Sequence, residues 1–104
     1  MDGQKGYQLY GVVMKHAQLS QLQAAASNVS YEILRLKTSE MTTCSAGSEN
    51  GTTLIPANSG LPSDARYTIT TECLYSSSTA RISVAVFYTT DGTERSVTRA
   101  LYAH

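Results

Sequence analysis

Residues 66–102 read RYTITTECLYSSSTARISVAVFYTTDGTERSVTRALY, and their alternation decides the fold. Tyr67, Ile69, Thr71, Cys73 and Tyr75 share one side of a first strand, and Ile82, Val84, Val86 and Tyr88 share one side of a second. A period of two marks strands with one buried face. Ser76-Ser77-Ser78-Thr79 joins them as a hairpin. Pairing Tyr75 with Ala80 sets Cys73 opposite Ile82, Ile69 opposite Val86 and Tyr67 opposite Tyr88. Asp91-Gly92 is a type I′ hairpin signal, and it pairs Val86 with Val97 and Ile82 with Leu101. Both turns bring the apolar sets to the same face. Arg99 falls on that face between Val97 and Leu101. On an edge strand its side chain can reach solvent or discourage further pairing.

Upstream the pattern changes. Leu9, Val12, Val13, Ala17, Leu19, Leu22, Ala26, Val29, Ile33 and Leu36 recur mostly at steps of three and four, the spacing of a helical face. Between Tyr7 and Lys37 there is no proline and one glycine, Gly11. A helix over about 7–37 follows, a rod of ~45 Å at 1.5 Å per residue. That exceeds what a compact 100-residue fold needs, since its radius of gyration is only ~13 Å. The helix must therefore project or cross the whole molecule. Its polar side carries no Lys, Arg, Asp or Glu between His16 and Tyr31. A solvated helix normally carries charges there. A surface built on Gln18, Gln21 and Ala25 is cheaper to bury against a neighbour than a charged one. Two readings stand side by side: a plain Gln-rich solvated face, and a second interface used in an assembly.

Between helix and sheet lies residues 38–65, a long loop rich in Ser, Thr, Gly, Asn and Pro. Loops of that length tend to be functional. Thr53-Leu54-Ile55 is a candidate short strand within it. Residues 38–104 hold 23 Ser or Thr, against three in residues 1–37. The expected architecture is α+β: one domain over 1–104, with a long N-terminal helix packed on a three- to four-stranded antiparallel sheet.

A domain of 104 residues buries a modest core. Cys44 follows the helix and Cys73 lies on the core face of the first long strand, so the pair is predicted to form a disulfide. It would close a loop of about 30 residues and stabilise by roughly 3.5 kcal/mol in the chain-entropy model. An even cysteine count in a small polar domain points to an oxidising compartment, extracellular or periplasmic. The alternative is two buried free thiols in a cytosolic protein.

Charge and motifs exclude more than they assign. Eight Lys and Arg balance eight Asp and Glu, so no bulk field draws the chain to nucleic acid or anionic lipid. No apolar run approaches the ~18 residues of a membrane span, and no signal peptide is evident. His16 and His104 stand apart from any metal-binding or catalytic cluster and read as structural. Glu32, Glu40, Glu49, Glu72 and Glu94 are scattered, with no nucleophile elbow, phosphate loop or dinucleotide fingerprint. No enzyme, metal or cofactor is expected. Asn28-Val29-Ser30 and Asn50-Gly51-Thr52 match the glycosylation triplet, and only Asn50 lies outside the predicted helix. Arg95 and Arg99 share one side of the last strand, with Arg66 and Arg81 on the other side of the sheet. The first two are the candidates for any nucleic-acid contact, and strand solubilisation is the competing reading.

The succession of helix, variable loop, three strands and one cysteine pair resembles the soluble part of a type IV pilin or pseudopilin, most closely a small minor pilin. The matching parts are the helix Tyr7–Lys37, the loop Thr38–Ala65 and the strands around Tyr67–Tyr75, Arg81–Tyr88 and Arg95–Tyr102. The resemblance implies a structural subunit acting in filament assembly, adhesion or surface interaction. Its partners would be other pilin subunits docked through the helix. The family's processing site and hydrophobic half-helix do not occur in residues 1–104. The resemblance therefore implies that they precede Met1, and that membrane attachment runs through that segment alone. Thr98-Arg99-Ala100-Leu101-Tyr102 faintly echoes the Arg-rich tail of some DNA-uptake pilins. A DNA-binding minor pilin is thus one alternative function. A cystatin-like or NTF2-like binding module, which needs a concave apolar pocket, is another.

Overall fold

The computed structural model describes the backbone of residues 2–74 and 79–103, and side chains within those spans from residue 18 onward. His16's side chain, Tyr75, the serines 76–78 and His104 lie outside the described residues, together with what the sequence predicts of them. So do the side chains of Leu9, Val12, Val13 and Ala17. One helix, α1 (Asp2–Glu40), packs on a four-stranded antiparallel sheet of β1 (Gly47–Gly51), β2 (Arg66–Leu74), β3 (Thr79–Thr90) and β4 (Thr93–Ala103). The strands lie side by side in chain order. The expected α+β class holds.

The helix runs three residues beyond Lys37. Its last turns are closed by hydroxyls, because Thr38 Oγ1 donates to the Leu34 carbonyl at 2.7 Å and Ser39 Oγ to that of Leu36 at 2.8 Å. These are side-chain back-bonds within the last turns; of the end carbonyls, that of Thr38 accepts from the Met41 N–H at 3.3 Å. A 39-residue helix is ~58 Å long at 1.5 Å per residue. The molecule accordingly measures 68 × 24 × 20 Å, with a radius of gyration of 17.9 Å.

The face α1 buries is Ala26, Val29, Ser30, Ile33 and Leu34. Two members depart from the sequence reading. Leu34 is buried, whereas Leu36 is 39% exposed. Ser30 is fully buried, its hydroxyl donating to the Ser27 carbonyl at 2.8 Å. Ala26 and Ser30 are one turn apart and small, so the helix backbone can approach the sheet closely there. Opposite them lie Ile82, Val84 and Val86 of β3, all fully buried, with Tyr67, Ile69 and Tyr88 around them. Burying each of those three aliphatic side chains contributes about 1.5–3 kcal/mol.

The β3–β4 register is the one Asp91-Gly92 predicts, with Val86 opposite Val97 and Ile82 opposite Leu101. Asp91 at φ 53° and Gly92 at φ 75° supply the two left-handed residues of a type I′ turn. The β2–β3 register needs correction. Cys73 lies opposite Ala80, not Ile82; Ile69 opposite Val84, not Val86; and Tyr67 opposite Val86, not Tyr88. Thr79 belongs to β3, opposite Leu74, rather than to the connection. The serine run between the strands carries no two-residue turn signal of the Asp-Gly kind in its sequence, so packing is left to select the register, with Ala80 facing Cys73. A shift of two keeps every residue on its expected face, since the side-chain period is also two.

The fourth strand is not where propensity places it. Thr53-Leu54-Ile55 forms no strand; the Ile55 N–H donates to the Thr52 carbonyl at 3.1 Å in a turn. The strand is the preceding Gly-Ser-Glu-Asn-Gly, whose composition is poor for strands. External ties hold it. Cys44 is bonded to Cys73 with sulfurs 1.99 Å apart. Lys37 Nζ lies 3.2 Å from Glu49, and the Thr68 hydroxyl donates to Asn50 Oδ1 at 2.8 Å. Gly51 lies against the buried Tyr67, where a Cβ would stand 2.8 Å from the phenol oxygen. Leu54, Ile55 and Leu61 then pack against the core, so this loop is part of the structure's lid.

Reduction of the Cys44–Cys73 bond, with 29 residues of separation, is expected to lower stability by about 3.6 kcal/mol by chain entropy. Melting with and without reductant should differ by roughly 15–25 °C, and intact mass after alkylation without reductant should show no free thiol. The Gly51–Tyr67 contact gives a second expectation. Gly51→Ala should destabilise by about 1–3 kcal/mol through overpacking. Tyr67→Phe removes the oxygen in the way, so a denaturant double-mutant cycle should show the second change relieving much of the first.

Candidate functional site

No cluster of three or more His, Cys, Asp or Glu gathers among the described residues. The candidate functional features are therefore surfaces. The first is the outward side of α1. Gln18 and Gln21 are exposed, as are Gln23, Ala24 and Asn28. No charged residue occurs from Gln18 to Ser30, so this surface is neutral throughout. Ala25 sits differently. It is half-buried beside the loop at Gly60, where an added methyl would stand 4.0 Å from the Ala25 Cβ.

The second feature is the distribution of arginines. Sheet alternation puts Arg95 and Arg99 on the helix side, and Arg66 and Arg81 on the open side. Arg66 is held by Glu94 at 2.8 Å, with its guanidinium 5.4 Å from the Phe87 ring centre. Arg81 lies 3.7 Å from Glu72. Arg99 crosses to the helix and lies over Tyr31, 5.4 Å from the ring centre, while Arg35 approaches the same ring at 5.9 Å. Arg95 has neither an ion pair nor a ring contact among the described residues. The arginines therefore form no continuous strip. The Arg35–Tyr31–Arg99 group was hidden from sequence reasoning, because its members meet only once α1 is laid along β4.

The open face of the sheet is polar and small. One full row reads Ser48, Thr70, Ser83, Ala100, and the next Asn50, Thr68, Ala85, Thr98. The glycosylation-triplet residue Asn50 thus lies within β1, exposed and bonded to Thr68. At one end, Asn50, Thr68, Arg66 and Phe87 border a shallow hollow of about 550 Å³, which Arg66 and Glu94 cross. A second hollow of about 460 Å³ lies between α1 and β4, bordered by Arg35, Leu36, Ser39, Glu32 and Leu101. Neither is the deep apolar cone that a cystatin-like or NTF2-like binder needs.

The acidity of Asp64 is tuned by its neighbours. The Thr89 hydroxyl, helped by the Thr89 N–H at 3.4 Å, holds its carboxyl below the usual carboxylate value. This contact therefore stabilises the fold above the ordinary carboxylate pKa and is lost as pH falls through the lowered value. It ties the end of the lid loop to β3. No known protein family, characterised protein or solved structure matches the chain.

Duplex DNA is expected to bind weakly at low salt and negligibly near physiological salt, since the net charge is zero and the arginines are divided between two faces. A fluorescence titration at two ionic strengths checks this. Tight binding at moderate salt that Arg95→Ala/Arg99→Ala abolishes would make DNA the ligand.

Proposed function

We propose that the chain is the globular part of a structural filament subunit, of the kind a small minor pilin provides. The observation that carries this reading is the two-sided character of α1. One side, from Ala26 to Leu34, is buried on the sheet; the other, from Gln18 to Asn28, is exposed yet free of charge. A helix whose outer side is neutral loses little solvation when neighbours cover it. The disulfide and the absence, among described residues, of a helix able to cross a membrane are compatible with an extracellular or periplasmic location. In this reading the subunits meet through α1, the loop and sheet face outwards, and the role is assembly or surface interaction rather than catalysis. The arrangement of the arginines gives the DNA-binding version no further support.

The test places charge on the neutral side without touching the core. Gln21 and Ala24 are both exposed, whereas Ala25 is partly covered by the Gly60 loop and would report on folding as well. Gln21→Glu/Ala24→Glu should keep the circular dichroism spectrum and the disulfide. In cells making the full-length protein, the same double change should sharply reduce the subunit recovered in sheared surface filaments, because it buries unpaired carboxylates. Normal recovery would mean that this face is merely solvated.

A further inference from the structure

β4 is an edge strand of 11 residues, and among the described residues nothing pairs with its free side. The type I′ turn makes Thr90 and Thr93 a hydrogen-bonded pair, so Arg95, Val97, Arg99 and Leu101 direct their backbone groups to β3. The N–H and C=O groups of Glu94, Ser96, Thr98, Ala100 and Tyr102 therefore point away from the sheet. All five residues are exposed, and no described hydrogen bond from outside the sheet reaches their backbone. An open edge of this length is a template for another strand.

The side chains along this edge state which strand it accepts. On the helix side they alternate as Arg95, Val97, Arg99, Leu101: cation, apolar, cation, apolar. Val97 and Leu101 are half-buried at the rim of the core. Arg99 is braced over Tyr31, beside Arg35, so cationic charge is concentrated where a fifth strand would pass. Next to Leu101, the hollow bordered by Leu36, Arg35 and Glu32 leaves room for a side chain.

We infer that the free edge of β4 is a docking site for an extended segment of a partner protein, antiparallel to β4, whose residues alternate apolar and acidic on the helix side. In order along the incoming chain, its apolar, acidic, apolar and acidic side chains meet Leu101, Arg99, Val97 and Arg95. A second copy's β4 does not fit this description. The registers centred on Thr98 or nearby set Arg95 and Arg99 directly or diagonally against the partner's own Arg95 and Arg99, and like charges facing across strands are destabilising. A second copy's β1 is also a poor occupant, with five residues and one carboxylate, Glu49, already held by Lys37 at 3.2 Å. The arginines thus repel the chain's own edge and select an acidic one. This surface lies on β4 and not on the neutral side of α1, so it stands or falls apart from the filament reading.

The probe is a labelled nine-residue peptide in which Leu, Glu, Val and Glu alternate with Thr. Fluorescence anisotropy should show salt-sensitive binding to the full chain. On binding, hydrogen exchange should slow at the amides of Ser96, Thr98 and Ala100. Arg95→Glu/Arg99→Glu should weaken binding roughly tenfold or more, and should favour the same peptide with Lys in place of Glu. Thr98→Pro removes an outward N–H without touching the β3 ladder and should abolish binding, while Thr98→Val should bind as the unaltered chain does. An intact disulfide and an unchanged circular dichroism spectrum confirm that each variant is folded. Absence of binding, indifference to Thr98→Pro or to the charge reversal, or sedimentation showing that the chain pairs with itself through β4 would overturn the inference.

Discussion

A single helix is about 10 Å across and strands lie about 4.8 Å apart, so one helix can roof only about two strands of a sheet. That limit shapes the rest of this molecule. α1 lies over β3 and β4, and the core-facing residues of β3 are the ones completely withdrawn from solvent. The remaining half of the sheet needs another cover. Residues 52–65 provide it, with Leu54, Ile55 and Leu61 placed where a second helix would otherwise lie. A cover of turns lacks the internal hydrogen-bond ladder of a helix, so it is fixed from outside: by the disulfide at its approach, by Lys37 to Glu49, and by Asp64 to Thr89 at its exit.

The parts legible in the sequence are those governed by short-range periodicity. The helix, the last hairpin and the disulfide all follow from spacing and from two residues of turn chemistry. The β2–β3 register was legible only in its parity, because a serine run without a turn-specifying pair in its sequence leaves the choice between registers two apart to packing. β1 was not legible at all. Gly-Ser-Glu-Asn-Gly has no strand propensity, and it is a strand because β2 offers hydrogen bonds and because Cys44, Lys37 and Tyr67 hold it there. Thr53-Leu54-Ile55 has the better propensity and is a turn, because its apolar side chains contribute more to the lid than to an exposed edge.

The candidate surfaces show the same division. The uncharged outer side of α1 is visible in the residues alone, apart from the partial covering of Ala25. The grouping of Arg99, Tyr31 and Arg35 is not, since it depends on how the helix axis lies along β4. The two surfaces also differ in chemistry. The helix side has neutral amides and methyls, suited to close packing among equals. The β4 edge has free backbone groups and alternating cations, suited to one strand of opposite character.

The bond between Cys44 and Cys73 also matters under load. When the chain is pulled through α1 and β4, the load enters at two different elements, the helix and the last strand. The 29-residue separation bridged by the bond corresponds to ~100 Å of extended chain. With the bond closed that length is locked away, and force passes from Cys44, just beyond α1, across the bond to Cys73 at the end of β2. β1, the lid loop and β2 as far as Glu72 then lie outside the line of tension as long as the bond is intact.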